Sequence, residues 1–158
     1  MTHGTEGHSA TLGAAEWTAH AMAQVAAAGH RSGGARRAVI ESLADQDCCR
    51  SAQEILDDLR SQGRQVGLAS VYRIVDLLVN LGLVVRLDLG GSVARYEPAL
   101  PSGEHHHHIV CVECGDVRPF EDPRLEKALE VASASSDHIA VDAHDVVLRG
   151  HCALCREA

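Results

Sequence analysis

Two Cys-x-x-Cys pairs, Cys111/Cys114 and Cys152/Cys155, bracket the second half of the chain with 37 residues between them, and they limit the fold more than any other feature. Two such turns can present four thiolates to one ion as a tetrahedron, the arrangement that a closed structural zinc site requires. A redox-active dithiol is the competing use of the same spacing. The apolar segments between the pairs are short, and a region with so thin a core needs a staple. The pattern predicts that residues 105 to 158 fold around zinc.

Immediately before the first pair the chain reads EHHHHIVCVECG, residues 104 to 115. Successive side chains of a strand point to opposite faces, so His106 and His108 project one way and His105 and His107 the other. One tetrapeptide can then serve two metal sites; the alternative is a solvated histidine tract. The remaining donors must come from Glu97, the Cys48–Cys49 pair, Glu126, His138, His144 and His151, and spacing does not choose among them.

A chain of 158 residues has room for one ordinary domain or two small ones. Aromatics make up only 3%, so any core is built from Ala, Val, Leu and Ile. There is no apolar run of about 18 residues, and MTHGTEGHSATLG lacks the basic-then-apolar order of a signal peptide. These features point to a cytoplasmic protein with no membrane partner, whose six cysteines are ligands or free thiols rather than disulfides. The net charge of −8 is uneven: residues 1 to 96 carry nine basic and ten acidic side chains, residues 97 to 158 five and twelve. A near-neutral first half with clustered arginines can bind DNA locally.

Residues 1 to 13 read as a disordered leader. An Ala-rich helical pattern covers residues 14 to about 28, and GHRSGGARR breaks it before a second helix that runs through Leu43. Ser51 caps a third helix, with Glu54 completing a capping box and Gly63 closing the end. A fourth helix is expected over Leu68–Asn80, with Val71, Ile74, Val75, Leu78 and Leu81 facing the core and Ser70 and Arg73 outside that stripe. VVRLDLGGSVARYE alternates around a Gly-Gly turn, as a β-hairpin does. Residues 14 to 97 therefore read as a winged helix-turn-helix, the alternative being a helical bundle with an incidental hairpin. PALPSGE, residues 98 to 104, reads as a hinge. Beyond it, strand-like HIVCV, DVRPF and HDVVLRG surround one helix over Pro123–Ala134, a small α/β unit in a chain of α+β class.

In a helix-turn-helix the second helix enters the major groove with its N-terminal residues at the base edges. Here those are Ser70, Tyr72 and Arg73, whose plainer roles would be a packed aromatic and solvated polar side chains. Arg95 in the hairpin either touches the minor groove or is simply exposed.

GLASVYR, the hinge followed by HHHHIVCVECG, and the closing HCALC together resemble the ferric uptake regulator family of metal-sensing repressors, over residues 14 to 155. The resemblance implies a homodimer with an N-terminal winged-helix domain on double-stranded operator DNA and a C-terminal dimerisation domain. It matches Cys111, Cys114, Cys152 and Cys155 to a structural zinc site, and Cys49, Glu97, His106 and His108 to a regulatory site drawing on both domains. His105, His107, Glu126 and His144 match an additional site. Tyr72 and Arg73 fall at DNA-contacting positions, and Arg31 and Arg36 at basic positions near the second helix, although SGGA replaces the usual capping residues between them. Many iron-type members carry His where this chain has Cys49. One thiolate, two imidazoles and a carboxylate form a borderline-soft set that suits zinc better than iron(II) or manganese(II). The expectation is a zinc-responsive repressor of metal-uptake genes, with an iron, manganese or nickel sensor as the alternative. A zinc hydrolase is the reading from another class; with no HExxH signature, neither an enzyme nor a small-molecule substrate is expected.

Overall fold

A computed structural model describes residues 13–31, 33–100, 105–136 and 138–157, so the expected leader lies almost wholly outside the described residues, as does the second half of the expected hinge. The chain divides into two compact units between residues 104 and 105. Among the described residues no helix is long and apolar enough to cross a membrane.

The first unit has four helices, α1 (Ala14–Ala27), α2 (Gly34–Ala44), α3 (Ala52–Ser61) and α4 (Leu68–Asn80). Three strands, β1 (Arg50–Ser51), β2 (Val84–Leu87) and β3 (Arg95–Pro98), form an antiparallel sheet in the order β1-β3-β2. Ser51 starts α3 as its pattern demands: its hydroxyl accepts from the Glu54 N–H while the Glu54 carboxylate accepts from the Ser51 N–H at 2.7 Å. Gly63, at φ +72°, turns the chain away after α3 in a conformation that a side chain resists. The apolar stripes meet in one core of Trp17, Val25, Ile40, Leu43, Ile55, Leu59, Val71, Val75 and Leu78, with Leu81 only partly buried at its edge. Each such side chain contributes about 1.5 to 3 kcal/mol on burial. The sheet closes one side through Val84 and Tyr96, and the Trp17 indole N–H donates to the Ala99 carbonyl at 3.2 Å.

The second unit consists of β4 (His107–Cys111), β5 (Val117–Phe120), α5 (Pro123–Ala134), β6 (Val147–Gly150) and the single turn α6 (Ala153–Arg156). Strand β4 is central, antiparallel to β5 and parallel to β6. Helix α5 is capped by Asp122, begins with Pro123 and buries no side chain fully. Among the described residues of this unit, those buried are His107, His108, Val110 and Cys111, whereas Ile109 and Leu148, partners in register on β4 and β6, are both exposed. The apolar core is as thin as the sequence predicts.

Because Leu59 is completely buried among large side chains, Leu59→Ala should cost about 2 to 5 kcal/mol. Urea unfolding followed by fluorescence of Trp17, the only tryptophan, measures it.

Candidate metal centres and nucleic-acid face

The register of the second sheet explains how distant cysteines meet. Parallel pairing sets Cys111 opposite Gly150, so the chain leaving β6 delivers the second Cys pair beside the first. Gly115, at φ +76°, lets the backbone turn back on itself after Cys114, and its N–H donates to the Cys111 carbonyl. Cys152 caps α6, whose single turn brings Cys155 round to the same point. All four sulfurs lie within 4.8 Å of one another, and those of Cys114 and Cys152 are 3.8 Å apart. Tetrahedral zinc at about 2.3 Å from each thiolate needs sulfurs about 3.8 Å apart, so the donor set fits that ion.

The electrostatics are unequal across the four. Backbone N–H groups of Cys114 and Cys152 donate to the Cys111 sulfur and hold its pKa down to about 6. Cys155, hydrogen-bonded to the Cys152 sulfur, is pushed up to about 12. One thiolate opposes the ionisation of its neighbours, and a dication is what allows all four to ionise together.

Strand alternation sorts the histidines as expected: the rings of His105 and His107 pair at 5.3 Å, those of His106 and His108 at 4.9 Å. On the first face His105, His107, Glu126 and His144 gather within 4.8 Å. Glu126 comes from the first turn of α5 and His144 from the approach to β6. The Glu126 carboxylate accepts from His107 Nε2 at 2.6 Å and from His144 Nε2 at 2.9 Å; burial opposes its ionisation, but these bonds outweigh it and keep the carboxyl below its usual range. The Val146 N–H donates to His107 Nδ1 at 3.2 Å, which leaves the ring proton on Nε2. A cation replacing that proton has to move the ring hydrogen to Nδ1 and break the Val146 bond. Three imidazoles and a carboxylate can hold a divalent ion, at that cost.

The first unit carries a further pair of donors. Burial alternates along residues 48 to 51, with Cys49 and Ser51 inside and Cys48 and Arg50 half-exposed, and Arg50 and Ser51 pair with β3. Cys49, the position that the resemblance matches to the regulatory site, is only 7% exposed, and Cys48 is the thiol whose sulfur lies within 4.8 Å of a Glu97 oxygen. The Cys48 sulfur 3.9 Å away, together with burial, pushes the Cys49 thiol far above its usual pKa. In the second unit, His106 and His108 offer ring nitrogens within 4.8 Å of each other. The sequence leaves the choice between the two thiols open.

On α4, Tyr72 (43% exposed) and Arg73 are open to solvent while Val71, Ile74, Val75 and Leu78 are buried, so the tyrosine is not a core aromatic. Arg73 reaches back to the Ser70 hydroxyl at 3.0 Å. Arg31 is exposed, and the Arg36 side chain donates to the Arg31 backbone carbonyl at the entry of α2. Arg95 is neither solvated nor extended toward a groove: its guanidinium is held by Glu54 at 3.0 Å and by the Cys49 carbonyl at 3.3 Å.

The four-thiol cluster predicts metal-dependent thiol reactivity. In chelator-stripped protein, whose second unit loses the fold, iodoacetamide should alkylate Cys111, Cys114, Cys152 and Cys155 alike with a rate that rises through the ordinary thiol range, and zinc should protect all four. Peptide mapping by mass spectrometry reads all four.

Residues 27–149 match the ferric uptake regulator family. The ferric uptake regulation protein of Escherichia coli K12 is 34% identical over 125 residues, covering 77% of this chain and 82% of that protein. Among solved structures, the Vibrio cholerae ferric uptake regulator superposes with a TM-score of 0.72 at 29% identity, over 81% of this chain and 96% of its own. The Helicobacter pylori ferric uptake regulator, a protein with three functional metal binding sites, gives 0.75 at 26% identity over 92% and 95%. With two CxxC turns, an alternating histidine strand and an exposed Tyr-Arg pair on its fourth helix, the chain belongs to the ferric uptake regulator family of metal-responsive transcription regulators.

Proposed function

We propose that the protein is a zinc-responsive repressor that binds palindromic operator DNA as a homodimer. The observation that carries the zinc assignment is the thiol of Cys48 beside the Glu97 carboxylate. With the His106 and His108 imidazoles these make a set of one sulfur, two nitrogens and one oxygen, softer than iron(II) or manganese(II) favour and suited to tetrahedral zinc. Cys111, Cys114, Cys152 and Cys155 hold a structural zinc, and His105, His107, Glu126 and His144 an additional ion whose loading is opposed by the Val146 bond. The metal-site count of the Helicobacter pylori relative supports this three-site reading.

Zinc taken by ligands from both units favours one of their arrangements over the others, and so shifts the population toward the form that fits DNA. Ser70, Tyr72 and Arg73 read base edges from α4, and Arg31 and Arg36 contact phosphates. The exposed apolar face of Ile109 and Leu148 supports the reading of a second copy, and two-fold symmetry matches a palindrome with two half-sites. An iron-responsive regulator is the second reading, favoured by the name of the Escherichia coli relative.

Gel shifts on the promoter of its own gene, with the structural zinc kept in place, discriminate between metals. Zinc(II) should tighten binding by about 5- to 150-fold, the range of a 1 to 3 kcal/mol coupling. His106→Ala should abolish the gain with the fold intact. Equal affinity with and without metal would contradict the mechanism, and a gain specific to iron(II) would replace zinc by iron.

A further inference from the structure

Arg95 is the one hairpin cation whose side chain is mostly buried, 19% exposed. Its Nη1 donates to both oxygens of Glu54, at 3.0 and 3.3 Å, and to the Cys49 carbonyl at 3.3 Å. Glu54 is itself fixed by the Ser51 N–H, and these bonds together keep its carboxyl below the usual range although burial opposes them. Arg95 and Glu97 are two residues apart on β3 and share a face of the sheet, and Arg95 lies in register with Ser51 on β1. Strand β1 has only two residues, and Cys48 and Cys49 lie just before it. The ladder alone is too short to hold the cysteines in place. Besides Arg95, the Gln46 amide, which donates to the Tyr96 carbonyl at 3.0 Å, stitches this segment to β3.

We propose that Arg95 is a positioning residue for metal sensing: by gripping the Cys49 carbonyl from the strand that carries Glu97, it sets the Cys48 thiol at ligating distance from the Glu97 carboxylate. The proposal rests on the reading of Cys48 and Glu97 as regulatory ligands. Its sign separates it from a plain charge effect. A guanidinium near a cation site repels the cation, so removing the charge should tighten metal binding if charge were the operative term. Removing a positioning contact should loosen it, on the roughly 10- to 100-fold scale of groups that orient metal ligands.

The test uses the full chain with its structural zinc retained, titrated with zinc(II) against a chromophoric chelator to read the next site, with melting temperature followed in parallel. Arg95→Gln should weaken that site at least about ten-fold, and Arg95→Lys, which keeps one donor, should recover part of the loss. Ser51→Ala removes the cap beside the same Glu54 but leaves the Arg95 grip, so it should lower the melting temperature and leave zinc affinity unchanged. Unchanged or tighter zinc binding by Arg95→Gln, in a protein where His106→Ala loses the site, overturns the positioning role. So does a loss of affinity in Ser51→Ala that matches Arg95→Gln at equal melting temperature. If His106→Ala binds the next zinc as the parent does, the ligand assignment itself fails and the proposal falls with it.

Discussion

Four sulfur atoms carry a load in the second unit that apolar packing carries in the first. In the first unit, stripes from four helices close on one another around Leu59, Leu78 and Val39, which are shut off from solvent. In the second, α5 buries nothing fully and the residues that are buried include two histidines and a cysteine. Imidazoles and thiols are poor core material unless they are engaged by partners. A dication held by four thiolates at the junction of β4 and β6 would supply folding free energy that so small a core cannot, as structural zinc does generally. The cysteines sit where they do because a parallel strand pair ends there.

The same central strand carries the rest of the metal chemistry. A period of two sends His105 and His107 to one face and His106 and His108 to the other, so two donor pairs come from four consecutive residues. On the first face everything needed for an ion lies within the second unit, and hydrogen bonds to Glu126 hold the imidazoles near one another. On the other face the second unit offers the ring nitrogens of His106 and His108, and the first unit offers the Cys48 thiol within 4.8 Å of a Glu97 oxygen. Under the proposed reading these four donors serve one ion, which would couple metal loading to the disposition of the domains, as a sensor needs and a storage protein does not.

Much of this was legible in the sequence, for reasons specific to particular residues. The bounds of α4 and α5, the Ser51–Glu54 capping box and the histidine alternation all follow from local patterns, and the structure has each of them. The four-cysteine cluster was legible because CxxC turns carry their geometry with them. What escaped was non-local. Strand β1 has no apolar period of its own and exists through its pairing with β3, so the sequence leaves open which of the adjacent Cys48 and Cys49 thiols faces Glu97, with only the resemblance pointing to Cys49. Arg95 looked like a surface cation because its partners, Glu54 and the Cys49 carbonyl, are more than 40 residues away. The one-turn α6 is too short to show a period.

Metal-dependent folding of the second unit is the claim on which the others stand, and amide hydrogen exchange tests it most directly. Stripping the protein with a strong chelator under reducing conditions should remove protection from β4, β5 and β6 while α2, α3 and α4 keep theirs, and zinc should restore it. Full protection of β4 to β6 in protein shown by elemental analysis to be free of metal would mean that the fold stands without its ion, and would contradict the account.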